Sequence, residues 1–127
     1  MQDFRKLRVW ERAQQLCCEL YLFSADFPVE ERYGVTSQLR RAAVSVGSNI
    51  AEASKRKTPK GKGRILNVSE SEGAEVMSVL DIVERLAYGQ KGTARQFIAR
   101  YDELEGMIES LCQRVLQTDH NVDDSEP

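Results

Sequence analysis

The last long segment of this chain places apolar residues at alternating steps of four and three. The stripe consists of Phe97, Tyr101, Leu104, Ile108, Leu111 and Val115. Because an α-helix has about 3.6 residues per turn, this spacing puts the six side chains on one face, as in the seam of a helical bundle. A strand would need alternation with a period of two, and no segment of useful length shows it. The pattern therefore predicts an all-α fold.

Three further segments with a helical period precede this one, so we expect four helices. Turn and capping residues mark the expected bounds: Leu7 to about Ala25 before Pro28, the Tyr33-Gly34 turn to about Ser54, a start at Thr58-Pro59, and a start at Thr93. Short connections favour an up-down four-helix bundle. We assign residues 1–118 to this domain and the polar, acidic residues 119–127 to a disordered tail.

Charge is divided between the two halves of the chain. Residues 1–64 contain 13 Lys and Arg against 7 Asp and Glu, a balance of +6. Residues 65–127 contain 5 against 13, a balance of −8. This division has two interpretations. The charges lie on the solvated faces of different helices, or they form a basic surface for polyanions on one side of the molecule.

The cysteines are Cys17, Cys18 and Cys112, without a Cys-x-x-Cys pair. Three thiols without a disulfide framework indicate a reducing compartment, where they act as small core residues. No apolar run approaches the roughly 20 residues of a membrane span, and the amino terminus has no secretory signal pattern. We therefore expect a cytoplasmic protein without membrane contact.

Five polar residues lie close together in the expected second helix: Arg41, Ser45, Ser48, Asn49 and Glu52. Four of them share one face by their spacing, and Asn49 lies beside them. A buried polar group without a hydrogen bond costs about 1–3 kcal/mol, so we interpret the cluster as a structural network that fixes helix register or a subunit contact. A ligand or nucleic-acid role is the alternative.

Six of the ten residues between 55 and 64 are basic: Lys55, Arg56, Lys57, Lys60, Lys62 and Arg64. We predict that they contact phosphates of RNA or DNA, with contributions from Arg40 and Arg41. The alternative is a solvated connecting loop. No aromatic residue is interleaved, so base stacking is not expected and binding would depend little on sequence.

The first expected helix has more apolar surface than one face needs. Beside its main stripe it carries a second series that includes Trp10 and Tyr21. Large aromatic side chains outside the core need cover, so these two are candidate anchors of an oligomer interface. A deeply buried helix within a monomer is the alternative.

Three segments carry a family resemblance: DFRKLRVWERA at Asp3–Ala13, ERYGVTSQLRRAAVSVGSNIAEA at Glu31–Ala53, and Leu86-Ala87-Tyr88. In this order they resemble the proteins encoded within intervening sequences of large-subunit ribosomal RNA. The accessory variability determinant of diversity-generating retroelements is in the same superfamily. The resemblance covers about residues 3–116, and within 70–76 only Glu75 is carried across. It implies a four-helix bundle, a ring-like homopentamer, nucleic-acid binding through basic residues, and no established enzyme activity.

The favoured hypothesis is a non-enzymatic, oligomeric scaffold that binds RNA or DNA. A protein-protein adaptor, with a reverse transcriptase or another protein as its partner, is the alternative. A third hypothesis is a ribonuclease, because Arg114 and His120 have the R-x5-H spacing of helical HEPN ribonucleases. We assign no catalytic residue, cofactor or metal site.

Overall fold

Four α-helices make up the part of the chain that can be described. A computed structural model describes the backbone of residues 3–122 and the side chains of residues 3–117. The helices are α1 (Arg8–Phe23), α2 (Val35–Lys55), α3 (Pro59–Arg85) and α4 (Thr93–Val122), and single 3-10 turns lie at Phe4–Lys6, Ser24–Asp26 and Val29–Glu31. No strand occurs within residues 3–122. The all-α fold with four helices is therefore confirmed, and the expected tail at 119–127 lies outside the residues whose side chains are described.

Apolar stripes from all four helices meet in one core. Five of the six residues in the α4 stripe are buried, and Val115 is half-buried against the core. The largest fully buried aliphatic side chains include Leu16, Leu39, Leu66 and Leu104, one from each helix. Each such side chain contributes about 1.5–3 kcal/mol relative to exposure, so the core stabilises the bundle.

The middle of α3 lacks apolar residues on its inner face because small and polar groups fill that position. Ser69 is fully buried, and its Oγ donates a hydrogen bond to the Val46 carbonyl of α2 at 2.8 Å. Gly73 is buried beneath Glu105 of α4, whose Oε2 would lie 2.5 Å from a Cβ at position 73. These two residues let α3 approach both of its neighbours closely.

Neighbouring helices run in opposite directions. Arg41 of α2 meets Glu75 of α3, whereas Lys62, near the start of α3, meets Ser54, near the end of α2. Similarly, Gly63 lies beside Cys112 of α4. Arg12 of α1 meets Glu103 of α4, whereas Glu19 meets Arg100, so these two helices are also antiparallel. The starts of α1 and α3 and the ends of α2 and α4 therefore share one end of the bundle. In the described part of the chain, no helix is long and apolar enough to cross a membrane.

Candidate nucleic-acid interface

The polar residues of α2 join α3 through two glutamates. Arg41 donates to Glu75 at 2.5 Å and lies 3.5 Å from Glu72. Ser45 donates to Glu72 at 3.1 Å, and Asn49 donates to the Ser45 carbonyl at 2.8 Å. The contacts of Arg41 and Ser45 cross the interface between the two helices, and the Asn49 bond holds Ser45 from within α2. They fix the register of α2 against α3, and the two neighbouring glutamates raise the pKa of the Arg41 guanidinium.

Two members of the predicted cluster lie apart from this network. Ser48 is exposed, although it shares the helical face. Glu52 pairs with Arg56 at 2.5 Å, one turn nearer the end of α2. The network therefore contains Arg41, Ser45 and Asn49 from the sequence prediction, and α3 supplies the rest.

Arg40 and Arg41 lie far from the other six predicted contact residues. Arg41 precedes Lys55 by 14 helical positions, about 20 Å along the α2 axis. Arg40 donates to Ser24 Oγ at 2.8 Å and to the Tyr21 carbonyl at 3.1 Å, and its guanidinium lies 4.5 Å from the Tyr21 ring centre. Both arginines are held by contacts within the chain, at a different part of the molecule from the α2–α3 connection.

The remaining six residues form the basic loop, defined as the cations at positions 55, 56, 57, 60, 62 and 64. Thr58 caps α3 by accepting from the Gly61 amide at 3.0 Å, and Pro59 occupies the first turn, as the sequence predicts. Lys62 turns back to donate to the Ser54 carbonyl at 3.4 Å and to the Arg56 carbonyl. Burial lowers the pKa of this Lys62 ammonium.

Three cations of the basic loop face solvent. Lys57, Lys60 and Arg64 are exposed, and no described side chain pairs with them. Lys55 lies 5.8 Å from the Phe4 ring centre, and Arg56 is paired with Glu52. The loop therefore offers three available charges, because intramolecular contacts occupy the other three.

The amino-terminal segment brings further cations to the same end. Phe4 packs edge-on against Trp10 with ring centres 5.2 Å apart and also lies beside Lys55. Lys6 and Arg8 are exposed beside this contact, whereas Arg5 pairs with Asp3 and lowers the pKa of that carboxyl to about 2. Sequence reasoning missed these residues. The basic run FRKLR could have indicated them. Its location beside the basic loop, however, depends on α1 and α2 being antiparallel, which the sequence alone does not give.

A groove runs between the start of α1 and the second half of α4. Its volume is about 580 Å³, and charged side chains line it: Lys6, Arg8, Arg12, Arg114 and Glu103. Arg12 pairs with Glu103 across the groove at 3.1 Å. Arg114 thus lies in this groove, whereas the His120 side chain of the ribonuclease hypothesis lies outside the described residues.

Three carboxylates of α3 and α4 form a separate cluster. Burial and a hydrogen bond with Glu109 raise the pKa of Glu70 to about 7. Burial and the charges of Glu70 and Asp102 raise the pKa of Glu105 to about 7. Across residues 3–117, no group of three or more His, Cys, Asp or Glu side chains is placed to hold a metal ion.

The three thiols occupy unlike environments. Cys112 is buried, Cys17 is half-buried and Cys18 is exposed. Burial raises the pKa of both Cys17 and Cys112, which disfavours their thiolate forms. Neither of these two thiols is therefore activated as a nucleophile.

The two predicted interface anchors lie on one helix but in unlike settings. Trp10 is half-buried against the core and Phe4. Tyr21 is 41% exposed, with one ring face under Arg40. The neighbouring Leu22 is 79% exposed and Tyr33 is 89% exposed, so the most exposed large apolar side chains of the described residues lie at the opposite end from the basic loop.

Comparison with solved structures shows the same fold elsewhere. The chain is similar to a protein of unknown function from the S23 ribosomal protein family of Bacteroides thetaiotaomicron, whose crystal structure it matches with a TM-score of 0.73. The two sequences are 19% identical, and the match covers 82% of this chain and 97% of that one. No curated protein matches the chain.

A family description covers most of the sequence. The family of 23S rRNA-intervening sequence proteins matches residues 5–110, a range that includes the α2–α3 polar network and the whole basic loop. This agrees with the resemblance carried by the segments 3–13 and 31–53. The chain belongs to the 23S rRNA-intervening sequence protein family.

Proposed function

We propose that this protein is a non-enzymatic, oligomeric helical scaffold of the cytoplasm that binds RNA or DNA with little sequence preference. The observation that carries the proposal is the set of exposed, unpaired cations at one end of the described bundle: Lys57, Lys60 and Arg64 on the basic loop, with Lys6 and Arg8 nearby. Solvated cations of this kind neutralise phosphates and release counterions.

Phosphate contact accounts for the surface better than base recognition does. Residues 55–64 include no aromatic side chain on which a base could stack. The nearest ring, Phe4, is occupied by Trp10 and Lys55. Binding of this type is set by charge and salt, so RNA and DNA strands of different sequence should bind alike.

We further propose that the scaffold is a ring-like homopentamer. Its support is the family membership together with exposed apolar side chains, of which Leu22, Val29 and Tyr33 are each more than 60% exposed. Of our two candidate anchors on α1, Tyr21 lies beside Leu22 in this region, whereas Trp10 packs on Phe4 near the basic loop. A ring would display several copies of a weak basic loop, and their combined binding would exceed that of one copy.

The test of nucleic-acid binding compares two double variants with equal change in net charge. Lys57→Glu/Lys60→Glu reverses two available cations of the basic loop, and Arg32→Glu/Lys91→Glu reverses two exposed cations at the opposite end. Fluorescence anisotropy is measured with labelled single-stranded RNA and DNA over a range of salt. We expect the loop variant to lose about tenfold or more in affinity at low salt, and its slope of log affinity against log salt to fall by about one to two.

The control variant should bind within about threefold of the wild type at moderate salt. Its charges lie beyond the far end of the 21-residue helix α2, about 30 Å from the loop, which is roughly three Debye lengths at about 0.1 M salt. Absence of strand binding by the wild type at low salt would refute the proposal. Equal losses in both variants would show that net charge, and not the basic loop, controls binding.

A protein-protein adaptor is the second candidate, favoured by the exposed side chains of Leu22 and Tyr33. A pull-down from the source cell, with Leu22→Glu as the matched control bait, tests it. One stoichiometric protein lost with Leu22→Glu, and recovered without nucleic acid, would support the adaptor over the nucleic-acid scaffold.

A further inference from the structure

The groove between α1 and α4 combines a cationic rim with an apolar floor. Its rim carries four basic side chains and the single carboxylate of Glu103. Its floor is formed by the buried residues Leu7, Val9 and Leu111, with half-buried Met107 beside them. Such a lining suits a ligand that has both an apolar ring and a concentrated negative charge.

The charge of the groove exceeds what one phosphodiester would neutralise. Arg12 is paired with Glu103 at 3.1 Å, whereas Lys6 and Arg8 are exposed and pair with no described side chain. Leu7, the N-cap of α1, makes no side-chain capping bond, and Glu11 in the first turn offsets part of the positive helix end, so Lys6 and Arg8 supply the available charge. A phosphomonoester carries about −1.5 to −2 at neutral pH, against −1 for a diester. The groove therefore favours a terminal phosphate over an internal one.

The size of the groove matches about one nucleotide. The volume of about 580 Å³ is within the range of sites for single small molecules. The groove opens at the end of the bundle that also carries the basic loop, since Phe4 touches Lys55 and Cys112 touches Gly63. A strand bound along the loop could therefore reach the groove with its end.

We propose that this groove binds a nucleoside monophosphate group, with Lys6 and Arg8 holding the phosphate and Leu7, Met107 and Leu111 contacting the base or sugar. The group is the phosphorylated end of a strand or a free mononucleotide. The first source rests on the proposed nucleic-acid binding, whereas the second does not.

The test compares labelled single strands of one sequence with a 5′ phosphate, a 3′ phosphate or hydroxyls at both ends. We expect at least one phosphorylated strand to bind about tenfold more tightly, since a charge-assisted contact of about 1.4 kcal/mol corresponds to that ratio. Lys6→Glu/Arg8→Glu should weaken all three strands, since both cations belong to the exposed set at this end, and should in addition bring the ratio between phosphorylated and hydroxyl strands to about one. Arg8→Lys should retain it, as should the control Arg32→Glu/Lys91→Glu.

A second measurement covers the free nucleotide. Adenosine monophosphate is titrated by calorimetry into the wild type and into Lys6→Glu/Arg8→Glu, with circular dichroism confirming that both are equally helical. Adenosine monophosphate binding by the wild type but not by the variant supports the groove proposal, even if no strand binds. Failure of every strand to bind would refute only the proposed nucleic-acid binding. Equal affinity for all three strands, together with no heat from the mononucleotide, overturns the groove proposal and leaves the basic loop unaffected.

Discussion

Glu105 is the residue whose setting departs most from that of an ordinary surface carboxylate. It lies across Gly73, and its buried Oε2 has no hydrogen-bond partner among the described residues. Burial, followed by the charges of Glu70 and Asp102, raises the pKa of Glu105 from 4.5 to about 7. Between about pH 4.5 and 7 the folded chain therefore holds a proton on Glu105 that the unfolded chain has released. Between about pH 4.5 and 7 this difference lowers the free energy of unfolding as the pH rises, and above pH 7 the full loss persists.

Glu105→Gln should remove this loss because the amide carries no charge at any of these pH values. We expect the variant to be more stable than the wild type by about 1–2 kcal/mol at pH 8, a figure discounted for the partial exposure of the carboxylate. At pH 4.5 the two proteins should be nearly equal. Urea unfolding at both pH values measures the difference, and exposed Glu11→Gln is the control. A difference that does not change with pH would show that the charge of Glu105 is irrelevant.

At the scale of the helix, the end of α3 is closed by an alanine in a conformation that suits glycine. The Tyr88 amide donates to the Val83 carbonyl at 3.0 Å, and Ala87 between them has a φ of 59°. This is the Schellman arrangement, in which the left-handed position usually holds glycine. Nearby Phe27 and Tyr88 pack with ring centres 5.8 Å apart, and the Tyr88 hydroxyl donates to Glu31 at 2.8 Å. These contacts hold the turn in place despite the strain at Ala87.

Ala87→Gly should stabilise the protein by about 0.5–1 kcal/mol, because relief of the left-handed strain exceeds the added entropy of the unfolded chain. Thermal unfolding followed by circular dichroism measures the effect. Ala74→Gly, at an exposed position inside α3, is the matched control and should destabilise by about 1 kcal/mol. Equal destabilisation by both substitutions would contradict this account of the turn.

The same scale separates what the sequence could predict from what it could not. Thr58 and Pro59 mark the start of α3 because capping is a local property of the chain. The buried positions of Ser69 and Gly73 could not be predicted from α3 alone, since their partners Val46 and Glu105 belong to other helices. Likewise, Arg41 is near the basic loop in sequence but about 20 Å from it along a rigid helix.

Across the whole molecule, unlike surfaces occupy the two ends. The basic loop and the groove lie at one end, whereas exposed Leu22, Val29 and Tyr33 lie toward the other. Because exposed large apolar side chains are stabilised by burial between subunits, self-association through that region would leave the cations exposed to solvent. Assembly and polyanion binding could then occur together.

Light scattering at micromolar concentration should give a mass larger than the 14.4 kDa of one chain. For the proposed pentamer the mass should be about five times that of one chain. Leu22→Glu should lower the mass, because a charged side chain buried between subunits is unfavourable. Lys91→Glu, an exposed change in the loop before α4, should leave it unchanged. A wild-type mass of one chain would refute self-association.

The short connection between α2 and α3 also bears on the order in which the protein folds. Ser69 and Val46 are 23 residues apart in sequence, and Lys62 and Ser54 are 8 apart. The ion pairs that join α1 to α4 span far longer stretches, 91 residues for Arg12 and Glu103 and 81 for Arg100 and Glu19. Closing a longer loop costs more chain entropy and slows contact formation. The α2–α3 hairpin should therefore nucleate early, and the seam between α1 and α4 should close last.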